Sequence, residues 1–257
     1  MIDEAAALRE QHRELADVLD PLGDSDWSRP VPRCPGWTVT DVLLHLAQSD
    51  EMARASLDGT FADVAAQLMG GAVPAGPTVD DAVEAMVGAQ RALHSGAEVR
   101  DRVLDAARLL DEAFAVADPH ARVPWVAGDL SARTLSVTRL AENWIHTGDI
   151  ADAVGAALPS PGERLRHVAR LAWRTLPYAF SRAGRTLAGP VTFDLVGPTG
   201  GAWRFEPESG PPAATVVTGD GVDLCLVAAR RVDPKTTSLR AEGPDADAVL
   251  ELVRTYA

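Results

Sequence analysis

Glu142-Asn-Trp-Ile-His-Thr-Gly-Asp149, read together with Val42-Leu-Leu-His-Leu-Ala-Gln48, decides how this chain is organised. Both stretches lie in segments with the apolar spacing of amphipathic helices. Glu142 and His146 are four residues apart, so on a helix their side chains share one face. That spacing suits two ligands of one divalent metal ion. His45, on a distant helix, is the candidate third ligand. Three protein ligands leave one tetrahedral position for water or substrate, which is the pattern of a catalytic rather than a structural zinc site. The arrangement is not His-Glu-x-x-His, so no general base stands between the ligands. Spacing alone leaves a plainer alternative open: a solvated Glu–His pair on a helix surface, and a hydrogen-bonded core histidine at position 45.

Around these stretches the first two-thirds of the chain reads as helix. Over 3–22, Leu8, Leu15, Val18, Leu19 and Leu22 fall on one face with charges opposite. A loop over 23–36 carries Pro30, Pro32 and Pro35. Thr38 then opens a helix with Asp41 three residues on, a variant of the capping box. The glycine- and alanine-rich segment 59–78 yields no assignment. Helices are expected near 79–95 and 98–117, from Ser131 to Val154, and from Pro161 to Ala183 with a kink at Pro177. Four long helices with loops between them predict a bundle, and bundle cores build metal sites from facing helices.

The pattern changes at Gly189-Pro190. Val191, Phe193 and Leu195 alternate with Thr192 and Asp194, the period of a strand, and Trp203 and Phe205 continue it after turn residues 198–201. A third strand over 214–218, a helix over 222–231, a short strand over 238–241 and a final helix opened by Pro244 complete a small α+β domain. The expected division is a helical bundle over 1–186 and an α+β domain over 187–257.

With 257 residues the chain is long enough for two modest domains with real cores. Its formal net charge of −13 argues against nucleic acid or an anionic membrane as partner and leaves a small-molecule substrate as the expectation. Two cysteines, Cys34 and Cys225, are too few for a disulfide framework. The chain start lacks the basic flank and apolar run of a secretory signal, and no stretch approaches the length of a membrane helix, so a cytoplasmic protein is expected.

The stretch Cys34-Pro-Gly-Trp-Thr-Val-Thr-Asp-Val-Leu-Leu-His-Leu-Ala47 resembles the start of the mycothiol-dependent maleylpyruvate isomerase family, within the DinB-like metal-binding four-helix bundles. Glu142-Asn-Trp-Ile-His-Thr-Gly-Asp-Ile150 is similar to that family's second metal element, and Asp223-Leu-Cys-Leu-Val-Ala-Ala-Arg-Arg231 to its small, sterol-carrier-like C-terminal domain. The resemblance implies an α plus α/β two-domain fold, an N-terminal DinB-like four-helix bundle followed by a small α+β domain. It implies zinc, or a similar divalent ion, on His45, Glu142 and His146. It further implies mycothiol as thiol cofactor, whose thiolate adds to a cis double bond, allows rotation and leaves the trans isomer. Other relatives transfer the thiol to an electrophile, so a metal-dependent isomerase or a thiol S-transferase is expected.

Substrate or cofactor carboxylates need a cationic partner. Arg230 and Arg231 are the candidate catalytic residues, since an arginine of the family's C-terminal domain reaches toward the active site. Arg139, three residues before Glu142, competes with them. Asp149 and Asp152 are either partners of a ligand histidine or solvated acids. Trp37 reads as a staple holding its loop, Trp144 as core, His167 as structural, Cys34 as a loop residue rather than a nucleophile, and Cys225 as a small apolar packer. Two other functions stay open: zinc–water hydrolysis or hydration without a thiol, and a non-enzymatic protein that binds a structural metal and an apolar ligand.

Overall fold

The structure, a computed structural model, describes residues 3–126 and 128–255. Met1 and Ile2, with which the reading of the chain start begins, lie outside the described residues. Contacts divide the chain into two compact units, one ending at Leu158 and the other beginning at Pro159.

The N-terminal unit is built on four long helices: α1 (Glu4–Leu19), α3 (Val39–Asp58), α6 (Gly96–Val116) and α7 (Ala132–Val154). Helix α3 packs on α6 and α7, and α1 packs on α7 and α6, which closes a four-helix ring. The caps follow the sequence signals. The Asp41 carboxylate accepts from Thr38 N and Oγ1, both at 2.8 Å, and Asp3 and Ser131 cap α1 and α7. Helix α3 is central because it is apolar on nearly all sides: Val39, Val42, Leu43, Leu44, Leu46 and Ala47 are all buried.

Two shorter helices lie beside α3. Helix α4 (Phe61–Met69) falls within the segment that the sequence left unassigned, and α5 (Val79–Gln90) follows it. Both pack against α3 around Met52, Leu68 and Met86. Helix α4 is only nine residues long, too short for its periodicity to stand out, and flanking glycines obscure it. A single turn, α2 (Asp24–Trp27), and two-residue strands β1 (Arg122–Val123) and β2 (Leu130–Ser131) are elements too short for sequence patterning to detect.

The C-terminal unit holds a four-stranded sheet in the order β4-β3-β5-β6, with β3 (Val191–Val196), β4 (Ala202–Phe205), β5 (Thr215–Asp220) and β6 (Arg240–Glu242). Strand β3 runs antiparallel to β4 and parallel to β5, and Phe193 stands opposite both Phe205 and Val217. Helices α8 (Leu165–Arg182), α9 (Gly221–Ala228) and α10 (Ala246–Leu252) complete the unit. Helix α8 runs through Pro177. Trp203 is buried at the centre, and its indole N–H donates to Glu163 Oε2 at 2.7 Å. Gly221 must be glycine here, because a Cβ would sit 2.5 Å from the Trp203 ring.

The expected boundary at 186 places the helix over 161–183 in the bundle. In the structure α8 packs instead on α9, α10 and β4. Its buried stripe, Leu165, Val168, Ala169, Ala172 and Leu176, explains why: it needs an apolar partner, and the helices and sheet of the C-terminal unit supply one. Trp173 Nε1 donates to Val191 O at 2.8 Å, tying the helix to β3. Periodicity gives a helix its apolar face but not the surface that face meets.

Candidate metal centre

His45 projects from the second turn of α3, and Glu142 and His146 from successive turns of α7. Although 97 residues separate them in sequence, His45 Nε2 lies 3.3 Å from Glu142 Oε2. His146 Nε2 lies 3.7 Å from the same oxygen. The two imidazoles meet edge to face, with ring centroids 5.2 Å apart. One ligand atom from each of the three residues lies within 4.8 Å of the other two. The structure therefore brings together all three residues that the sequence singled out.

The electrostatics match what a divalent ion requires. Burial pushes the His45 pKa down, against the pull of the Glu142 carboxylate, so the neutral imidazole is favoured. Burial pushes Glu142 the other way, but the hydrogen bond from His45 and the nearby His146 outweigh it and hold the carboxyl well below its usual range. A neutral imidazole and an ionised carboxylate are the forms that bind metal. Two imidazole nitrogens and one carboxylate oxygen form a donor set suited to zinc or a similar ion. On residue chemistry and convergence, the site fits the group.

The surroundings include residues that sequence reading missed. Cys34 Sγ lies 3.9 Å from His146 Nδ1 and 3.6 Å from Asp149 Oδ2. Together Cys34, His146 and Asp149 form a second group of potential ligands among the described residues. Trp37 stands 5.6 Å from the His45 ring, and its indole N–H donates to Glu84 Oε2 at 2.5 Å, so it touches the site as well as fastening its loop. The 30–38 loop carries both. Val31 N donates to Trp37 O at 2.9 Å, and Gly36 takes a φ of 86°, which favours glycine. The one available sequence signal was the compact Cys-Pro-Gly-Trp turn directly before the His45 helix. Of the two acids weighed as histidine partners, Asp149 is buried against His146, whereas Asp152 is exposed.

Arg139 does not stand open to a ligand. It is buried, and its Nε donates to Asp50 Oδ1 at 2.8 Å. Asn143 Nδ2 reaches the same carboxylate at 3.3 Å, and His12 Nε2 lies 3.5 Å from Asp50 Oδ2. His12 in turn pairs through Nδ1 with Asp111 Oδ1 at 2.9 Å. This chain of alternating charge joins α1, α3, α6 and α7 inside the bundle.

Arg230 and Arg231 follow α9 in the C-terminal unit. Arg230 adopts a φ of 61°, the left-handed conformation that closes many helices, and donates through Nη1 to Glu251 O at 2.7 Å. Arg231 Nη1 donates to Ala229 O at 2.8 Å. Trp144 and Cys225 are buried packing residues, and His167 is buried on α8.

Residues 8–151 match the family described as the mycothiol maleylpyruvate isomerase N-terminal domain. An uncharacterized protein of Mycobacterium tuberculosis, found in strains CDC 1551/Oshkosh and ATCC 25618/H37Rv, is 32% identical over 253 residues, covering 98% of this chain and 94% of the relative. Two crystal structures share the fold: mycothiol-dependent maleylpyruvate isomerase (TM-score 0.57, 17% identity) and a histidine-to-alanine mutant of it (TM-score 0.58, 16% identity). Each alignment covers 96% of this chain and 99% of the other. The likeness bears out the expected N-terminal helical domain followed by a small α+β domain. No helix among the described residues is long and apolar enough to cross a membrane.

Proposed function

We propose, from the premise that the chain belongs to the mycothiol maleylpyruvate isomerase N-terminal domain family, that it is a cytoplasmic metal-dependent enzyme using a thiol cofactor such as mycothiol. Its reaction is isomerisation of, or S-transfer to, a small electrophilic metabolite. Zinc, or a similar divalent ion, is held by His45, Glu142 and His146. The observation that carries this reading is the convergence of two imidazoles on one ionised, half-buried carboxylate.

The chain's own residues have separable tasks. His45 and His146 would bind through Nε2, His45 giving up the proton it shares with Glu142, and Glu142 would supply the one negative charge among the ligands. Bound there, a zinc ion lowers the pKa of a thiol or of water toward neutrality. His45 is buried and Glu142 and His146 are half-buried, which limits competing water and strengthens the electrostatic interactions. Arg230 and Arg231 are assigned to the carboxylates of substrate or cofactor, because a planar guanidinium stays charged and binds them bidentately.

The cobalt-substituted protein tests the thiol. Adding mycothiol or a simple thiol should produce a new charge-transfer band, as expected for thiolate coordination. An unchanged spectrum at saturating thiol would replace this reading with zinc–water chemistry. Methionine at position 230 or 231 tests the arginines. One of the two changes should lower turnover by roughly 10² to 10³, the usual cost of losing a charge-assisted contact in the transition state. Less than tenfold loss in both variants, with zinc content and melting temperature intact, removes the arginines from the reaction.

A further inference from the structure

Each helix of the four-helix ring packs on two neighbours, and the seam opposite the α3–α7 metal centre lies between α1 and α6. A groove of about 510 Å³ opens along it. Arg9, His12 and Arg13 line it from α1, and Arg108, Asp111 and Glu112 from α6. Its two acids are already engaged. Asp111 Oδ1 lies 2.9 Å from His12 Nδ1, and Glu112 Oε1 accepts from Arg108 Nη1 at 2.9 Å. Arg9 and Arg13 are left over: among the described residues neither side chain has a hydrogen-bond or ion-pair partner. Every other arginine of the N-terminal unit has one, from Arg29 on Asp26 to Arg139 on Asp50. The chain carries a net charge of −13, so acids are plentiful and their scarcity does not explain two unpaired arginines on one groove. Arg9 and Arg13 are four residues apart on α1, so both guanidiniums leave one face of the helix and repel each other. An anion between them removes that repulsion.

We propose that the α1–α6 groove is a binding site for a short organic dicarboxylate, with one carboxylate on Arg9 and the other on Arg13. A guanidinium presents a planar fork that matches a carboxylate bidentately. The helix sets the roots of the two forks about 6 Å apart along its axis, a separation that suits two carboxylates joined by a short carbon chain. Ala16, Leu104 and Ala107 give that chain an apolar wall. Inorganic phosphate is more compact and carries no carbon, so it would leave the wall bare. Arg108 stays with Glu112 and His12 with Asp111, so the ligand completes the charge pairing of the groove without breaking an existing pair. The metal ligands take no part, and the groove site stands or falls independently of the metal centre.

Calorimetric titration of the full chain at low ionic strength tests the site, with succinate, glutarate and adipate as probes. At least one should bind, and its affinity should fall as salt is raised. Arg9→Met and Arg13→Met should each weaken the best probe by roughly tenfold or more, the usual effect of losing a hydrogen bond to a charged group. Arg9→Lys and Arg13→Lys keep the charge but lose the fork, so they should lose less, and they serve if a methionine variant does not fold. Arg54→Met, at an arginine paired with Asp58 outside the groove, should bind like the wild type. Arg230→Met and Arg231→Met should retain the binding that the α1 variants lose. No binding of any of the three probes by wild-type protein overturns the proposal. So does unchanged affinity in folded Arg9 and Arg13 variants, or affinity lost in the Arg230 or Arg231 variant instead. Acetate or inorganic phosphate bound as tightly as the best dicarboxylate overturns the ligand class.

Discussion

His146→Ala is expected to abolish stable zinc binding. Wild-type protein, reconstituted and dialysed, should retain about one zinc per chain, and the variant should retain almost none by elemental analysis. His45→Ala should behave alike. The expected loss exceeds the roughly 10–100-fold that follows removal of an outer partner, because a bond to the ion itself disappears. Removing one imidazole leaves two protein ligands, short of the three that catalytic zinc sites use. Folding should survive, because neither His45 nor His146 belongs to the apolar cluster that holds the bundle together. Equal zinc content in wild type and both variants would sink the assignment.

The second large effect concerns stability. Asp50→Ala is expected to destabilise the protein by about 3–5 kcal/mol, because it leaves the buried Arg139 guanidinium without its counter-charge. His12 loses a partner in the same step. Asp50→Asn, which keeps shape and acceptor, should cost less. The pH dependence identifies the mechanism. Burial pushes the His12 pKa down, but hydrogen bonds with Asp111 and Asp50 overcome it and raise it from 6.5 to about 9. The folded state thus holds a proton that the unfolded chain releases, so the His12 contribution is complete below pH 6.5. It fades as pH rises and is gone above about pH 9. The shift corresponds to about 3 kcal/mol. Urea midpoints across that window should fall in the wild type, and the slope should flatten in Asp50→Ala. A wild-type profile flat from pH 6.5 to 9 would show that His12 is not held protonated in the fold.

Much of the bundle was legible because its signals are local. The Thr38–Asp41 capping box and the apolar stripe of α1 involve residues within one or two turns. The strand alternation at Val191, Phe193 and Leu195 is equally local. The i, i+4 relation of Glu142 and His146 is a property of any α-helix. Helix α4 was not legible, since nine residues between glycines give periodicity too little length. Nor was the membership of α8, because its stripe would serve against either unit.

What the amino-acid sequence alone determined was therefore which residues share a face: Glu142 with His146 on α7, and His45 on the apolar α3. The family motifs made a metal site the expectation. The tertiary structure decided which faces meet. It set His45 against Glu142, and Cys34 against the far side of His146, across 112 residues. It placed Arg139, a candidate substrate anchor by spacing, on the buried Asp50. The physical reason is that helix period specifies direction around an axis, whereas partner and depth are set by the packing of several helices at once. Charge pairs such as His12–Asp50–Arg139 exist only after that packing has removed water from between them.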